Sequence, residues 1–402
     1  MGRTAPWERA AIGANLMGGD GRPRATIFEE LTELAQLHGA INLGQGFPDS
    51  DGPPELLRIA QEGIASGLNQ YAPGRGLPVL REAIAAHQDR FYGLDVDPDT
   101  EVLVTTGATE GIAACILGLV GPGDVVVTLE PYYDSYGALL GMAGATHRTI
   151  PLLWPDFQPR AEDIAAAIGP DTRMVFLNTP HNPTGTVLGA DALRLIVEAA
   201  DRVGAVIVSD EVYEHLAFGA THVPVASIPG ASGRTLTIGS AGKTFSLTGW
   251  KVGWITGPRE LVAAVRTVKQ FLSYSSGGPF QAAIAHGLGY ERSYFDGVAA
   301  ELGAKKSLLA DALTEAGYRV NTPDAGYFLI ADASPLGIED AVALARALPQ
   351  QCGVAAIPVG AFVLPAHAAP YGSMLRFAFC KRREVLSAAA SALKDWGSRR
   401  GA

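Results

Sequence analysis

With 402 residues, 48% of them hydrophobic and 18% charged, the chain has enough apolar content for one large α/β unit with a smaller appendage, which excludes global disorder. A formal net charge of −10 and the absence of a basic stripe exclude nucleic acid as a partner. The densest cationic cluster, Lys381-Arg382-Arg383, reads as a solvated turn.

In chain order, the spacing of apolar residues predicts an amphipathic helix near 27–38. Short β-branched runs then predict strands at 102–105, 124–129, 146–150, 173–178, 205–209, 235–239 and 250–256. Helical patterns lie between them at 109–120, 161–168 and 190–203, an alternation expected of a mostly parallel sheet covered on both faces. Beyond about residue 292 the pattern changes to a long helix reaching about 316, then strands at 326–331 and 375–380. No Pro/Gly-rich linker separates these regions, so they are expected to share a cleft. Cys115, Cys352 and Cys380 form neither a CxxC pair nor a metal-ligand spacing. They read as reduced structural thiols of a cytoplasmic protein, with no metal expected. The longest unbroken apolar stretch, Ile112 to Val120, is nine residues and too short to span a bilayer, so no membrane partner is expected either. The first residues lack a basic-then-apolar signal pattern.

Five motifs carry chemistry. Thr105-Thr106-Gly107-Ala108-Thr109-Glu110-Gly111 sits between a strand and a helix, where small residues let backbone N–H groups approach a phosphate at a helix N-terminus. By itself it also reads as a tight turn. Asn178-Thr179-Pro180-His181-Asn182-Pro183-Thr184-Gly185 follows a strand, and its prolines can aim the Asn182 amide at a ligand oxygen, although Asn-Pro-x-Gly is ordinary turn chemistry. His181 is read as structural. Asp210, at the end of an apolar strand, is expensive to bury without a cationic partner, and Tyr213 lies three residues on. The alternative is a helix start, with Asp210 capping and Glu211 meeting the dipole. Lys243, in Gly239-Ser240-Ala241-Gly242-Lys243-Thr244-Phe245, is oddly placed for a surface charge. Burial lowers a lysine pKa, and a neutral amine can form a Schiff base with a carbonyl. Arg376, in the alternating strand Leu375-Arg376-Phe377-Ala378-Phe379, is suited either to a ligand carboxylate or to a structural ion pair.

The order of these five motifs resembles the fold-type I pyridoxal phosphate enzymes, the class I/II aminotransferases, across essentially the whole chain. Asn42-Leu43-Gly44-Gln45-Gly46-Phe47-Pro48-Asp49 and Gly249-Trp250-Lys251-Val252-Gly253-Trp254 are similar to the subgroup of kynurenine/glutamine-type and actinobacterial N-succinyldiaminopimelate aminotransferases. The resemblance implies an α/β large domain, residues 46–291, with a mostly parallel seven-stranded sheet sandwiched by helices. It also implies a smaller α+β domain from residues 1–45 and 292–402. Pyridoxal 5′-phosphate is the implied cofactor. Lys243 would bear it and shuttle the substrate α-proton, Asp210 would keep its ring nitrogen protonated, and Asn182 and Tyr213 would bond its ring oxygen. Tyr133 would stack on the ring. The phosphate would be held by Gly107, Ala108, Thr109, Ser240 and Lys251, with Tyr71 reaching it from the other subunit of a homodimer.

The substrates implied are an L-amino acid and a 2-oxo acid, with glutamate/2-oxoglutarate as one couple. The α-carboxylate would lie between Arg376, Asn182 and the Gly46 backbone. The side-chain pocket would draw on Phe28, Arg75 and Tyr274. Animal kynurenine aminotransferases carry a tryptophan near the first position and a Phe-His pair near Tyr274-Ser275. This chain departs at both, and Tyr274 to Pro279 looks more like the succinyldiaminopimelate enzymes. Arg75 is a candidate distal anchor by position, or a solvent-facing loop arginine. The alternatives are a kynurenine/glutamine/methionine-type enzyme with cysteine-S-conjugate β-lyase activity, or a β-lyase or oxidase on the same scaffold. A ligand-sensing domain of a DNA-binding regulator is disfavoured, since the aminotransferase-like unit uses up the chain.

Overall fold

The computed structural model describes residues 4–401, so residues 1–3 and 402 of the expected terminal segments lie outside it. After β1 (Ile41–Asn42) come seven strands at the expected positions: β2 (Val102–Thr106), β3 (Val125–Glu130), β4 (Thr146–Pro151), β5 (Thr172–Asn178), β6 (Val206–Asp210), β7 (Thr235–Ser240) and β8 (Val252–Thr256). They form one sheet ordered β2-β8-β7-β6-β5-β3-β4. Only β8 runs against its neighbours, antiparallel to both β7 and β2. The strands read as continuous apolar runs, such as Val125-Val126-Val127, because helices cover both faces and leave no solvated side.

The helix Ala190–Val203 shows how that cover forms. Leu193, Ile196, Val197 and Ala200 recur on one face and are buried, while Gly204, at φ 70°, ends the helix in the left-handed conformation that a glycine adopts without strain. Truncating Leu193 to alanine would cost roughly 2–5 kcal/mol through lost burial and the void left behind.

A second sheet, ordered β12-β13-β10-β9, is antiparallel: β9 (Arg319–Val320), β10 (Phe328–Asp332), β12 (Ile357–Pro358) and β13 (Met374–Ala378). Beside it β1 pairs in parallel with β11 (Val354–Ala355). The helix Ile27–His38, closed at its start by a reciprocal Thr26–Glu29 capping box, packs here against Ala341–Gln351. The helix Pro6–Gly13 instead lies on Asp134–Ala143 beside the large sheet, with the Arg9 guanidinium donating to the Gly141 carbonyl at 3.1 Å. The first 45 residues are thus shared between the two sheets.

Lys381 departs from the expected solvated turn. It is buried, its ammonium donates to the Phe47 carbonyl at 2.7 Å, and it lies 4.2 Å over the Phe47 ring, while Arg382 and Arg383 are exposed. The three cysteines are buried and unpaired. Among the described residues no helix is long and apolar enough to cross a membrane.

Candidate active site

The reversal of the chain between β7 and β8 builds much of the site. Ser240, at the end of β7, pairs with Gly253 in β8, and Thr106, at the end of β2, pairs with Val252. Lys243, just after β7, Lys251, just before β8, and the start of the helix Gly107–Leu119 therefore meet at one sheet edge. A cavity of about 420 Å³ opens there, between that edge and β10 and β13 of the smaller sheet.

One end of the cavity is a cradle for an anion. Gly107, Ala108 and Thr109 lie in the first turn of a 13-residue helix, Ser240 lines the same wall, and the Lys251 ammonium is 3.4 Å from the Thr109 hydroxyl. Gly253 lets the loop sit this close to the sheet. A Cβ there would stand 2.6 Å from the Gly107 carbonyl carbon and 2.7 Å from the Ala108 nitrogen. Unmatched N–H groups, the helix dipole and an ammonium make this end attractive to a phosphate.

The floor of the cavity holds Asp210. Its carboxylate accepts from the Tyr136 hydroxyl at 2.6 Å and from the Val212 amide at 3.3 Å. Burial pushes its pKa up to about 6, with the Tyr136 hydrogen bond opposing. The residues after Asp210 form a turn and no helix, so the capping alternative does not apply. Glu211 is not at a helix dipole either: it accepts from Ser209 and from the Val225 amide and pairs with His222 at 2.8 Å.

Lys243 points into the same space. Its ammonium contacts the Gly46 carbonyl at 3.3 Å, and burial holds its pKa below the ordinary lysine value, against the pull of Cys380 and Asp210. The rings of Tyr213 and Tyr327 flank it, centred 5.5 Å and 5.4 Å away. Tyr327 also donates to the Lys243 carbonyl at 2.8 Å, which fixes the short helix carrying the lysine.

Opposite lies Arg376. Its guanidinium donates to the Asn182 side-chain oxygen at 3.1 Å and to the Gly44 carbonyl at 2.8 Å. The Nε is buried and has no partner, and burial pushes the pKa down to about 10. Phe328 and Phe362 sandwich it, with centroids at 4.0 Å and 4.5 Å, and Phe28 stands at 5.5 Å. The structural ion-pair reading of Arg376 has no support, since among the described residues only neutral acceptors bond it. Gly46 must be small, because a Cβ there would stand 2.1 Å from the Phe328 ring.

Of the sequence candidates, Tyr133, Tyr213, Asn182, Phe28 and Gly46 line the cavity together with the charged groups. Tyr71, Arg75 and Tyr274 do not line it. Tyr71 is 84% exposed and meets Tyr274 edge-on at 5.5 Å. Arg75 lies among Arg266, Arg81, Asp97 and Asp99, and burial, its largest influence, lowers its pKa.

Several members escaped the sequence reading. Tyr136 lies in the first turn of the helix Asp134–Ala143, three residues after Tyr133, the residue that precedes that helix. Asn178 donates to the Asp210 carbonyl at 2.9 Å and accepts from the Asn182 amide at 2.7 Å, so it ties the Asn loop to the strand of Asp210. Asp134, Gln45, Phe47 and Thr248 also line the cavity. His181 is buried, bonds Thr184 at 2.8 Å and has its pKa pushed down to about 3 by burial, in keeping with a structural role.

Comparison with known proteins gives the family of the chain. The family model for aminotransferase class I and II matches residues 38–393. A probable N-succinyldiaminopimelate aminotransferase of Mycobacterium tuberculosis is 50% identical, over 92% of this chain and 95% of the relative. A methionine aminotransferase of Escherichia coli is 38% identical, over 92% of this chain and 95% of that protein. The solved structure of N-succinyldiaminopimelate aminotransferase from Mycobacterium tuberculosis superposes with a TM-score of 0.90 at 49% identity, covering 92% of this chain and 97% of the other.

Proposed function

The chain belongs to the class I and II aminotransferases, and from that premise we propose that it moves the amino group of N-succinyl-LL-diaminopimelate to 2-oxoglutarate, using pyridoxal 5′-phosphate. The products are the corresponding 2-oxo acid and glutamate, and the cofactor ends each pair of half-reactions as it began.

The observation that carries the reading is a set of unmatched charges around one cavity. Asp210 is a buried carboxylate with no cationic partner in bonding contact, the Gly107–Thr109 turn offers donors for an anion, and Arg376 has a free buried N–H. A protonated pyridine, a phosphate and a substrate α-carboxylate answer these three in turn, so the residues fit the cofactor that this family uses.

When bound, pyridoxal phosphate supplies the carbonyl carbon that carries the amino group and the ring that withdraws electrons from the substrate Cα. Lys243 supplies the amine at which that carbon is held and, once released, takes the α-proton on Nζ and returns it. Its depressed pKa favours the neutral amine that this step requires. Asp210 would keep the ring nitrogen of the cofactor protonated, and Tyr136 orients the carboxylate through a charge-assisted bond. Arg376 clamps the substrate carboxylate beside Asn182, and the three phenylalanines around it exclude water and so strengthen the pairing.

The second subunit belongs to the same proposal. Tyr71, Phe271, Leu272 and Tyr274 form an exposed apolar group on loops that do not line their own cavity. A second copy of the chain seated there would bring Tyr71 to its phosphate cradle and Arg75 and Tyr274 to its substrate rim. Sedimentation of the purified protein tests this, and a monomer at micromolar concentration would remove it. The acidic balance and the three unpaired buried thiols support a reducing, cytoplasmic setting.

For the substrate, the steady-state formation of glutamate from 2-oxoglutarate is compared across donors. The succinylated diamino acid is expected to give a kcat/KM at least about tenfold above kynurenine, methionine or glutamine, the spread that one well-placed charged contact supplies. Equal or better turnover of kynurenine or methionine favours the alternative specificity, which the 38% identity to a methionine aminotransferase keeps in view. Release of pyruvate and ammonia from a cysteine conjugate, without need for an oxo acid, would reveal β-lyase activity.

A further inference from the structure

The loops that carry Tyr71 and Tyr274 are joined from within by a buried cation outside the site just described. Lys269 ends the helix Arg259–Lys269 and is only 2% exposed. Its ammonium donates to the Gly74 carbonyl at 2.8 Å and to the Tyr274 carbonyl at 2.5 Å, one from each loop. Ser275 adds a second tie, its hydroxyl donating to the Ala72 carbonyl at 2.8 Å.

The same unit is tied to the anion cradle. Glu110, in the first turn of the helix Gly107–Leu119, accepts from the Thr106 amide at 2.6 Å with one oxygen and from the Ser273 amide at 3.1 Å with the other. The Thr106 and Ser273 hydroxyls meet at 2.8 Å. A continuous path thus runs from the cradle through Glu110 and Ser273 to Tyr274, Lys269 and Gly74.

A buried ammonium is costly unless its donors are matched, and an apolar residue in its place would remove the bonds to the part-buried Gly74 and Tyr274 carbonyls and with them the tie between the two loops. A lysine is needed here only if the two loops must hold one relative position. Their outer faces, with Tyr71 84% and Phe271 85% exposed, have no role in their own cavity.

We infer that Lys269 is a positioning residue for the partner's site: with Glu110 it locks residues 71–76 and 271–276 into one preformed arm, which completes the cofactor and substrate pocket of a second copy. This inference rests on the homodimer proposed above.

The test uses mixed dimers of full-length chains. Lys269→Met homodimers are expected to release cofactor about tenfold more readily and to lose about tenfold in kcat/KM, the worth of roughly one lost charged contact. Lys269→Arg, which keeps the charge and donors, is expected to recover most of both. Differently tagged Lys269→Met and Lys243→Ala chains are then combined. The one site that retains Lys243 takes its arm from the chain with intact Lys269, so both its cofactor retention and its kcat/KM should return to the wild-type value per site. A defect that stays with the Lys269→Met chain overturns the inference while leaving the dimer intact. A wild-type protein that sediments as a monomer overturns the dimer, and the inference with it. Should Lys269→Met fail to fold, Lys269→Gln, which keeps one donor, replaces it in the same dimers with a defect of about threefold expected.

Discussion

The inner wall of the cavity and its outer rim are built on different terms. The inner wall is the carboxyl edge of β2, β6 and β7 with β13 facing it, and its central charges are buried, Asp210 at 4% and Arg376 at 3% exposure, while Lys251 just before β8 is exposed. The rim is apolar and open: Phe47 is 47% exposed, and Tyr71 and Tyr274, both exposed, do not line the cavity of their own chain. A buried charge without a partner dictates what the ligand must carry at that point, because the alternative costs several kcal/mol. An open apolar rim imposes no such demand. The reaction class therefore follows from the inner wall, and the choice of donor is left to the rim and to whatever a second subunit brings.

Removing inner-wall groups should sharpen this contrast. Lys243→Ala is expected to lower transamination by about a thousandfold or more while leaving the folded chain intact by circular dichroism. Turnover near the wild-type rate would show that the proton moves elsewhere. Arg376→Ala should lower kcat/KM by about a hundredfold, chiefly through KM, since it would remove the charge-assisted contact proposed for the substrate carboxylate. Saturation at unchanged substrate concentration would take that role away from it.

A third, smaller effect concerns stability in the absence of cofactor. Burial raises the Asp210 carboxyl from 3.8 to about 6, so the folded chain holds that proton more tightly than the unfolded chain does. The contribution of Asp210 to stability accordingly falls as pH rises from about 4 to about 6, by roughly 3 kcal/mol in all, and stays lower above that window. Asp210→Asn escapes this loss. Stripped of cofactor, it should melt above the wild type at pH 8, with the margin vanishing towards pH 4. A wild type that is the more stable at pH 8 would mean that the carboxylate already has a cationic partner.

Lys251→Ala should have the mildest effect. Because the ammonium is exposed, its contribution to phosphate binding is screened, and cofactor affinity is expected to fall about tenfold at low salt and less at high salt.

Most of the inner wall could be read from the chain because each charged group sits in a local motif at a strand end: Gly107 after β2, Asp210 in β6, Lys243 after β7. A strand followed by small residues marks a sheet edge, and a charge within an apolar run marks a demand for a partner. The remaining contacts join segments far apart in sequence. Tyr327 reaches the Lys243 carbonyl, and Lys269 reaches Gly74 across 195 residues, and neither leaves a periodic or spaced signature. Lys381 looks like a surface charge in the sequence for the same reason, since its partner, the Phe47 carbonyl, lies in another loop. The N-terminal helix fared similarly, as its docking on Asp134–Ala143 depends on glycines at Gly137 and Gly141 that only the fold brings beside it.

The central claim is that the inner wall performs amino transfer and that the preferred donor is a long acidic amino acid. Its most direct test is the half-reaction. Cofactor-loaded protein is mixed with one donor at a time, with no oxo acid present, and the cofactor absorbance is followed. The account predicts conversion to the amino form of the cofactor by glutamate and by N-succinyl-LL-diaminopimelate, at rates well above those for kynurenine, methionine and glutamine. Conversion only by the last three would contradict the donor assignment, and conversion by none of the five would contradict amino transfer from any of these donors.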